Sequence, residues 1–255
     1  MKLYKYCANN KHTENIFINS ELYFALPSLF NDPFDSKLKF SFEGSLNDIR
    51  KAYGRALYSS SLHNNNRYRQ LNSQEADEIA EKWITPKLID NKDYQVKFTE
   101  RIQKLENPQG VLCLSEVNNN ILMWSHYAEK HTGICLEFSW PNDDPIFGKY
   151  QRVKYQTHYE SVWAWLYTYD EIAKKTMFIK SIDWVYEKEY RILVKNEGCR
   201  MFPKESLTGV IFGCQIPKKI KDFYIEIIKN NKYSLELFDA IPDISSYSLN
   251  VIRIK

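Results

Sequence analysis

Four charged side chains stand within five residues in the stretch YEKEYRIL, namely Glu187, Lys188, Glu189 and Arg191. If this stretch is a strand, alternation places Tyr186, Lys188, Tyr190 and Ile192 on one face and Glu187, Glu189, Arg191 and Leu193 on the other. Same-face neighbours are then about 6–7 Å apart. Two carboxylates oriented by a guanidinium can stabilise developing positive charge, hold a sugar hydroxyl or ligate a metal. Carboxylates act in this way in sugar-carbon chemistry that passes through an oxocarbenium-like transition state. The plainer alternative is a solvated strand face with an internal ion pair. Keeping two acids at i and i+2 on one face predicts that this face points to solvent or into a cleft, with Glu189 as the first residue to mutate.

Two other stretches carry chemistry-bearing types. In MWSHYAEKH, His126 and Glu129 share a helical face, whereas His126 and His131 do not, so the i, i+4 zinc pair is excluded. Trp124, His126 and Tyr127 would suit a pocket floor, although a Met-Trp stripe is more often core. In FNDPFD, two short polar side chains, Asn31 and Asp32, stand between Phe30 and Phe34 and beside Pro33. This reads either as a surface turn or as an ordered binding loop. Ser115, near the end of GVLCLSE, is placed where a strand end meets ligand. Gly-rich phosphate loops, a G-x-S-x-G elbow and C-x-x-C pairs are absent from the sequence.

The elements that must position these residues read as follows. Leu3–Cys7 is an initial strand on which Lys5 faces opposite to Tyr4 and Tyr6. Glu21–Ala25 is a second strand. Residues 45–107 switch to helical patterns, with Asn72 and Glu75 forming a capping box and Pro86 breaking the second helix. Gly110–Phe138 reads strand, turn, helix, strand: the helix spans Ile121–Lys130, and Gly133 ends it in a left-handed position. A helix is expected over 160–175, strands over 184–194 and 209–214, a helix over 217–230, and closing strands thereafter. The expectation is one α+β domain over 1–255, with a mixed, mostly antiparallel sheet core and a helical insertion at 45–107.

Composition bounds the partners. The chain has 255 residues, 44% hydrophobic and 26% charged, with a net charge of +3, too small to argue for nucleic acid. Aromatics reach 15%, which suits pockets for flat ligands. There is no apolar run long enough for a membrane span and no signal-peptide pattern, and the five cysteines are unclustered, so a cytoplasmic protein with free thiols is expected.

The combination LYKY, FNDPFD, GVLCLSE, MWSHYAEKHTGICLEF and YEKEYRIL resembles the bacterial family known as domain of unknown function 2971. The order of elements also resembles ADP-ribosyltransferase-like domains, whose late strand carries an E-x-E motif matched here by Glu187 and Glu189. That resemblance implies a split-sheet fold, NAD as substrate, and a protein or nucleic-acid acceptor. Glu189 would hold the ribose and stabilise the oxocarbenium ion, and Glu187 would orient acceptor or water. Lys5 would take the first-strand position and Ser115 or Tyr127 the second. Lys5 replaces the usual Arg or His, and the usual Ser-Thr-Ser is lacking. Tyr6, Phe34 and Trp124 would stack on the rings of a nucleotide-like molecule, with Asn31, Asp32, His126 and Arg191 as further contacts. No metal is needed on this reading. Two alternatives remain: a magnesium-dependent hydrolase or nuclease using Asp32, Glu187 and Glu189, and a non-enzymatic binding module. Nothing in these residues addresses a role such as toxin or phage defence.

Overall fold

A computed structural model describes residues 1–37, 39–63, 70–106, 109–140, 150–158, 161–165 and 176–254. The strands begin with β1 (Lys2–Cys7), β2 (Glu21–Phe24), β3 (Lys39–Ser41), β4 (Gln109–Ser115) and β5 (Ile134–Ser139). They continue with β6 (Tyr150–Arg152), β7 (Lys154–Gln156), β8 (Ser161–Trp163), β9 (Ile179–Ser181) and β10 (Glu189–Lys195). The last are β11 (Gly198–Met201), β12 (Leu207–Phe212), β13 (Glu236–Pro242) and β14 (Leu249–Arg253). The helices are α1 (Lys11–Asn19), α2 (Leu46–His63), α3 (Ser73–Trp83), α4 (Pro86–Ile89), α5 (Lys92–Glu106), α6 (Ile121–Tyr127) and α7 (Lys218–Asn230). The class is α+β.

The chain divides into two compact units, one made of 1–30, 109–155 and 182–255, the other of 31–108 and 156–181. The first holds an eight-stranded sheet in the order β14-β13-β12-β5-β1-β4-β10-β6. Among its described pairs only β12–β13 is parallel, and α7 makes that crossover. Strand alternation divides its side chains cleanly. One face carries Leu3 and Cys7, Leu112 and Leu114, Leu136 and Phe138, Ile192, Val210 and Phe212, and it packs on Ile16 and Phe17 of α1 and Tyr224 and Ile228 of α7. The other face carries Tyr6, Cys135, Ile211 and Ala240 under Met123, Trp124 and Ala128.

The second unit is mainly helical. Asn72 and Glu75 do close a capping box on α3. The parallel β3–β8 ribbon turns Phe40 and Val162 into a cluster with Phe98, and Trp165 stacks on Tyr94 at 5.9 Å.

Several expectations fail locally. A helix not foreseen from the sequence, α1, starts at Lys11, and Asn10 caps it, its side chain accepting the Thr13 N–H. Helix α6 stops at Tyr127, because Glu129, Lys130 and His131 all adopt left-handed backbone (φ 49°, 54° and 70°). Gly133 is not left-handed; it is needed for space, since a Cβ there would collide with the carbonyl oxygen of Cys7. The strand expected from Trp184 starts only at Glu189, after a 3-10 turn over Ile182–Glu187 and a left-handed Lys188 (φ 43°). Ser161–Trp163 is strand rather than helix, and 166–175 lie outside the described residues.

Candidate functional site

The sheet of the first unit brings together three segments far apart in sequence. Tyr4 of β1 stands opposite Ser115 of β4, and Ser115 stands opposite Glu189 of β10. On the other side of Tyr4, the facing residue is Glu137 of β5. Directly opposed residues share a face, so Glu137, Tyr4, Ser115 and Glu189 form one polar row across four adjacent strands. The row lies on the Trp124 face of the sheet, opposite to the α1–α7 face.

Each member of the row is tied down. Glu189, 3% exposed, takes a bidentate bond from Arg191, which is 0% exposed: Nε donates to Oε1 at 2.6 Å and the second guanidinium nitrogen to Oε2 at 3.0 Å. The ring of Phe30 sits 5.2 Å from that guanidinium. The Glu189 N–H donates to the Tyr155 hydroxyl at 2.8 Å. Ser115 Oγ donates to the Glu187 carbonyl at 2.6 Å and accepts the Val117 N–H at 3.1 Å. Glu187 therefore does not project beside Glu189 as on a regular strand. The left-handed Lys188 turns it away, and its Oε1 accepts the Tyr127 hydroxyl at 2.6 Å. Glu137 accepts from Tyr4 at 3.2 Å and Thr208 at 2.8 Å, and pairs with Lys2 at 2.9 Å. Burial, with Glu137 beside it, pushes the Tyr4 hydroxyl up to about 12.

Of the side chains nominated from sequence, Ser115, Tyr127, Glu187, Glu189 and Arg191 form one connected group. Tyr6 and Trp124 share their face of the sheet as packed core, in edge contact at 5.3 Å, with the Trp124 indole N–H donating to the Asn118 carbonyl. His126 is exposed, its ring 6.2 Å from Trp184. Lys5 is on the opposite face, in register with Leu136, so it does not join Ser115 and Glu189. The expectation that the Glu189 face opens to solvent or a cleft is corrected: both Glu189 and Arg191 are buried. A fully buried guanidinium needs a fixed counter-charge, and Glu189 supplies it.

Asn31, Asp32 and Phe34 belong to the second unit. There Asp32 caps its own turn, Oδ1 accepting the Phe34 N–H at 2.8 Å, while Oδ2 is buried without a partner. Asn31 and Phe34 are exposed. Asp35, which the sequence reading passed over, forms a buried pair with Lys180 at 3.4 Å. A hollow of about 1020 Å³ in this unit is lined by Lys39, Ser41, Glu43, Asp90, Lys92 and Trp163 among others, and holds none of the nominated side chains. Among the described residues, no group of three or more His, Cys, Asp or Glu is placed to hold a metal ion.

Tyr4, Glu137 and Tyr155 escaped the sequence reading. Tyr4 was legible in principle, since it alternates with Lys5 and shares the Tyr6 face. Glu137 and Tyr155 gave no signal, because their roles depend on pairing between distant strands.

Residues 123–192 match a family described as "Protein of unknown function (DUF2971)", which the MWSHYA and YEKEYR motifs had led us to expect. The matched segment contains Trp124, His126, Tyr127, Glu187, Glu189 and Arg191, and NDPFD lies outside it. No curated protein and no solved structure matches the chain. No helix among the described residues is long and apolar enough to cross a membrane.

Proposed function

We propose that the polar row is the site of an NAD-using enzyme that transfers ADP-ribose or cleaves NAD. The observation that supports this reading is the row itself: first-strand, middle-strand and late-strand residues, Tyr4, Ser115 and Glu189, side by side on adjacent strands. Breaking the bond between nicotinamide nitrogen and ribose carbon leaves positive charge on the sugar. A carboxylate fixed in place stabilises that charge without reorganising. Arg191 fixes Glu189 in position through two hydrogen bonds. Glu187, held by Tyr127, is the second carboxylate and would orient the incoming acceptor or water. Ser115 joins the two halves by clamping the backbone before Glu189.

The test is incubation with NAD and chromatography for free nicotinamide. Wild-type protein should release it. Glu189→Gln, shown by circular dichroism to be folded, should not. Wild-type protein that consumes no NAD, with or without protein or nucleic-acid acceptors, contradicts the proposal.

A further inference from the structure

The hollow of the second unit plays no part in the proposed NAD site, whose residues all belong to the first unit. Its volume of about 1020 Å³ is that of a large small-molecule pocket. Its lining follows from the β3–β8 ribbon. The parallel register sets Lys39 beside Ser161 and Ser41 beside Trp163. Alternation puts these four side chains on one face, opposite to Phe40 and Val162, which go to the Phe98 cluster. Glu43 follows β3 in the chain, and the α4–α5 connection adds Asp90 and Lys92.

Two properties of this lining select a ligand. The first is a fixed aromatic ring. Trp163 donates its indole N–H to the Glu43 carbonyl at 2.6 Å and packs in part on the Ile49–Trp165 cluster. It lies so near Gly44 that a Cβ there would come within 3.1 Å of the ring. The second is balanced charge with open hydrogen-bonding capacity. Two cations, Lys39 and Lys92, share the hollow with two anions, Glu43 and Asp90. Among the described residues, the side chains of Lys39, Ser41, Glu43, Asp90 and Ser161 form no hydrogen bond or ion pair within the chain. Lys92 makes one long bond, to Gln95 at 3.4 Å.

We propose that this hollow binds a neutral oligosaccharide. A sugar ring has hydroxyls that both donate and accept, and a face of C–H groups that stacks on an aromatic ring. Trp163 supplies the ring. The carboxylates of Glu43 and Asp90 only accept, the ammonium groups of Lys39 and Lys92 only donate, and Ser41 and Ser161 do either. Hydroxyls satisfy all three kinds. A phosphorylated or sulfated ligand would bring its charge beside Glu43 and Asp90, and a polyamine beside Lys39 and Lys92, so repulsion offsets attraction for either sign. A wholly apolar ligand would take water from four charged groups and return no hydrogen bond.

An array of neutral, sulfated and sialylated glycans, probed with the affinity-tagged whole chain, tests this. Neutral glycans should bind, and calorimetric titration with the best of them should give an affinity that added sodium chloride leaves unchanged, since an uncharged ligand leaves little to screen. Trp163→Leu keeps an apolar contact with the Ile49 cluster and removes the flat ring. Asp90→Ala removes an exposed acceptor that has no bond inside the chain, so it reads the site even where the tryptophan variant folds poorly. Each should weaken binding by about tenfold or more, the alanine variant with an unchanged melting temperature. A chain that binds nothing on the array, that binds sulfated or sialylated glycans alone, or whose binding neither substitution weakens overturns the proposal.

Discussion

The two faces of the eight-stranded sheet are built by the same strands and differ in almost every other respect. On the α1–α7 face, buried Leu, Ile, Val and Phe side chains meet two amphipathic helices. On the Trp124 face, the same strands carry Glu137, Ser115, Glu189 and Arg191 at 0–4% exposure. Burying apolar area stabilises by roughly 25 cal/mol per Å². Burying a charge costs several kcal/mol unless a partner returns it. Every buried charge of the row has a fixed partner: Arg191 for Glu189, Lys2 and two hydroxyls for Glu137. On the proposed reading, the contrast assigns stability to one face and chemistry to the other.

Substitutions can break that contrast. The largest effect is expected for Arg191→Met, which leaves Glu189 buried without its cation. Removing one partner of a buried pair costs about 3–5 kcal/mol, visible as a large fall in the midpoint of chemical denaturation. If the loss is under about 1 kcal/mol, within the range typical of surface pairs, the pair is not the buried clamp described above. Tyr127→Phe comes next. It removes the 2.6 Å bond to Glu187 and should cost roughly 1–3 kcal/mol. On the proposed reading it also slows NAD turnover by more than the stability loss explains.

The smallest effect concerns pH. Burial lowers the pKa of His131, whose ring stacks on Trp124. Below the ordinary histidine value of about 6.5, the unfolded chain binds a proton that the folded protein resists. Stability therefore falls as pH drops from that value to the lowered one, and is intact above it. His131→Asn, a residue tolerant of left-handed backbone, should flatten the slope of melting temperature against pH over that window. An unchanged slope would place the titrating group elsewhere.

What the sequence displayed was the part decided locally. The capping box at Asn72 and Glu75 and the turn bond from Asp32 each lie within three residues and could be read directly. The division of β1 into a Lys5 face and a Tyr6 face follows from alternation alone. The misses were decided at a distance. The early end of α6 depends on strands that come much later: the His131 carbonyl accepts from Gln215 and the Gly133 carbonyl from Gly213, which hold the left-handed turn in place. Glu187 was put beside Glu189 because nothing about a lysine at 188 announces a left-handed residue. Its carbonyl is pinned by Ser115 and its side chain by Tyr127, both some sixty residues or more away. Glu189 was expected to face solvent or a cleft because its pairing with Arg191 was weighed and the burial of both groups was not.

The most direct test of the two-face account uses neighbours on β10. Glu189→Gln acts on the polar face and Ile192→Val on the apolar face of the same strand. The valine variant should lose about 0.5–1.5 kcal/mol and keep its rate of nicotinamide release from NAD at a temperature where both proteins are folded. The glutamine variant should lose about 3–5 kcal/mol, because it leaves the fully buried Arg191 without its counter-charge, and release no nicotinamide. Turnover that simply follows stability in both variants, or a wild type that never releases nicotinamide, would contradict the assignment of chemistry to the Glu189 face.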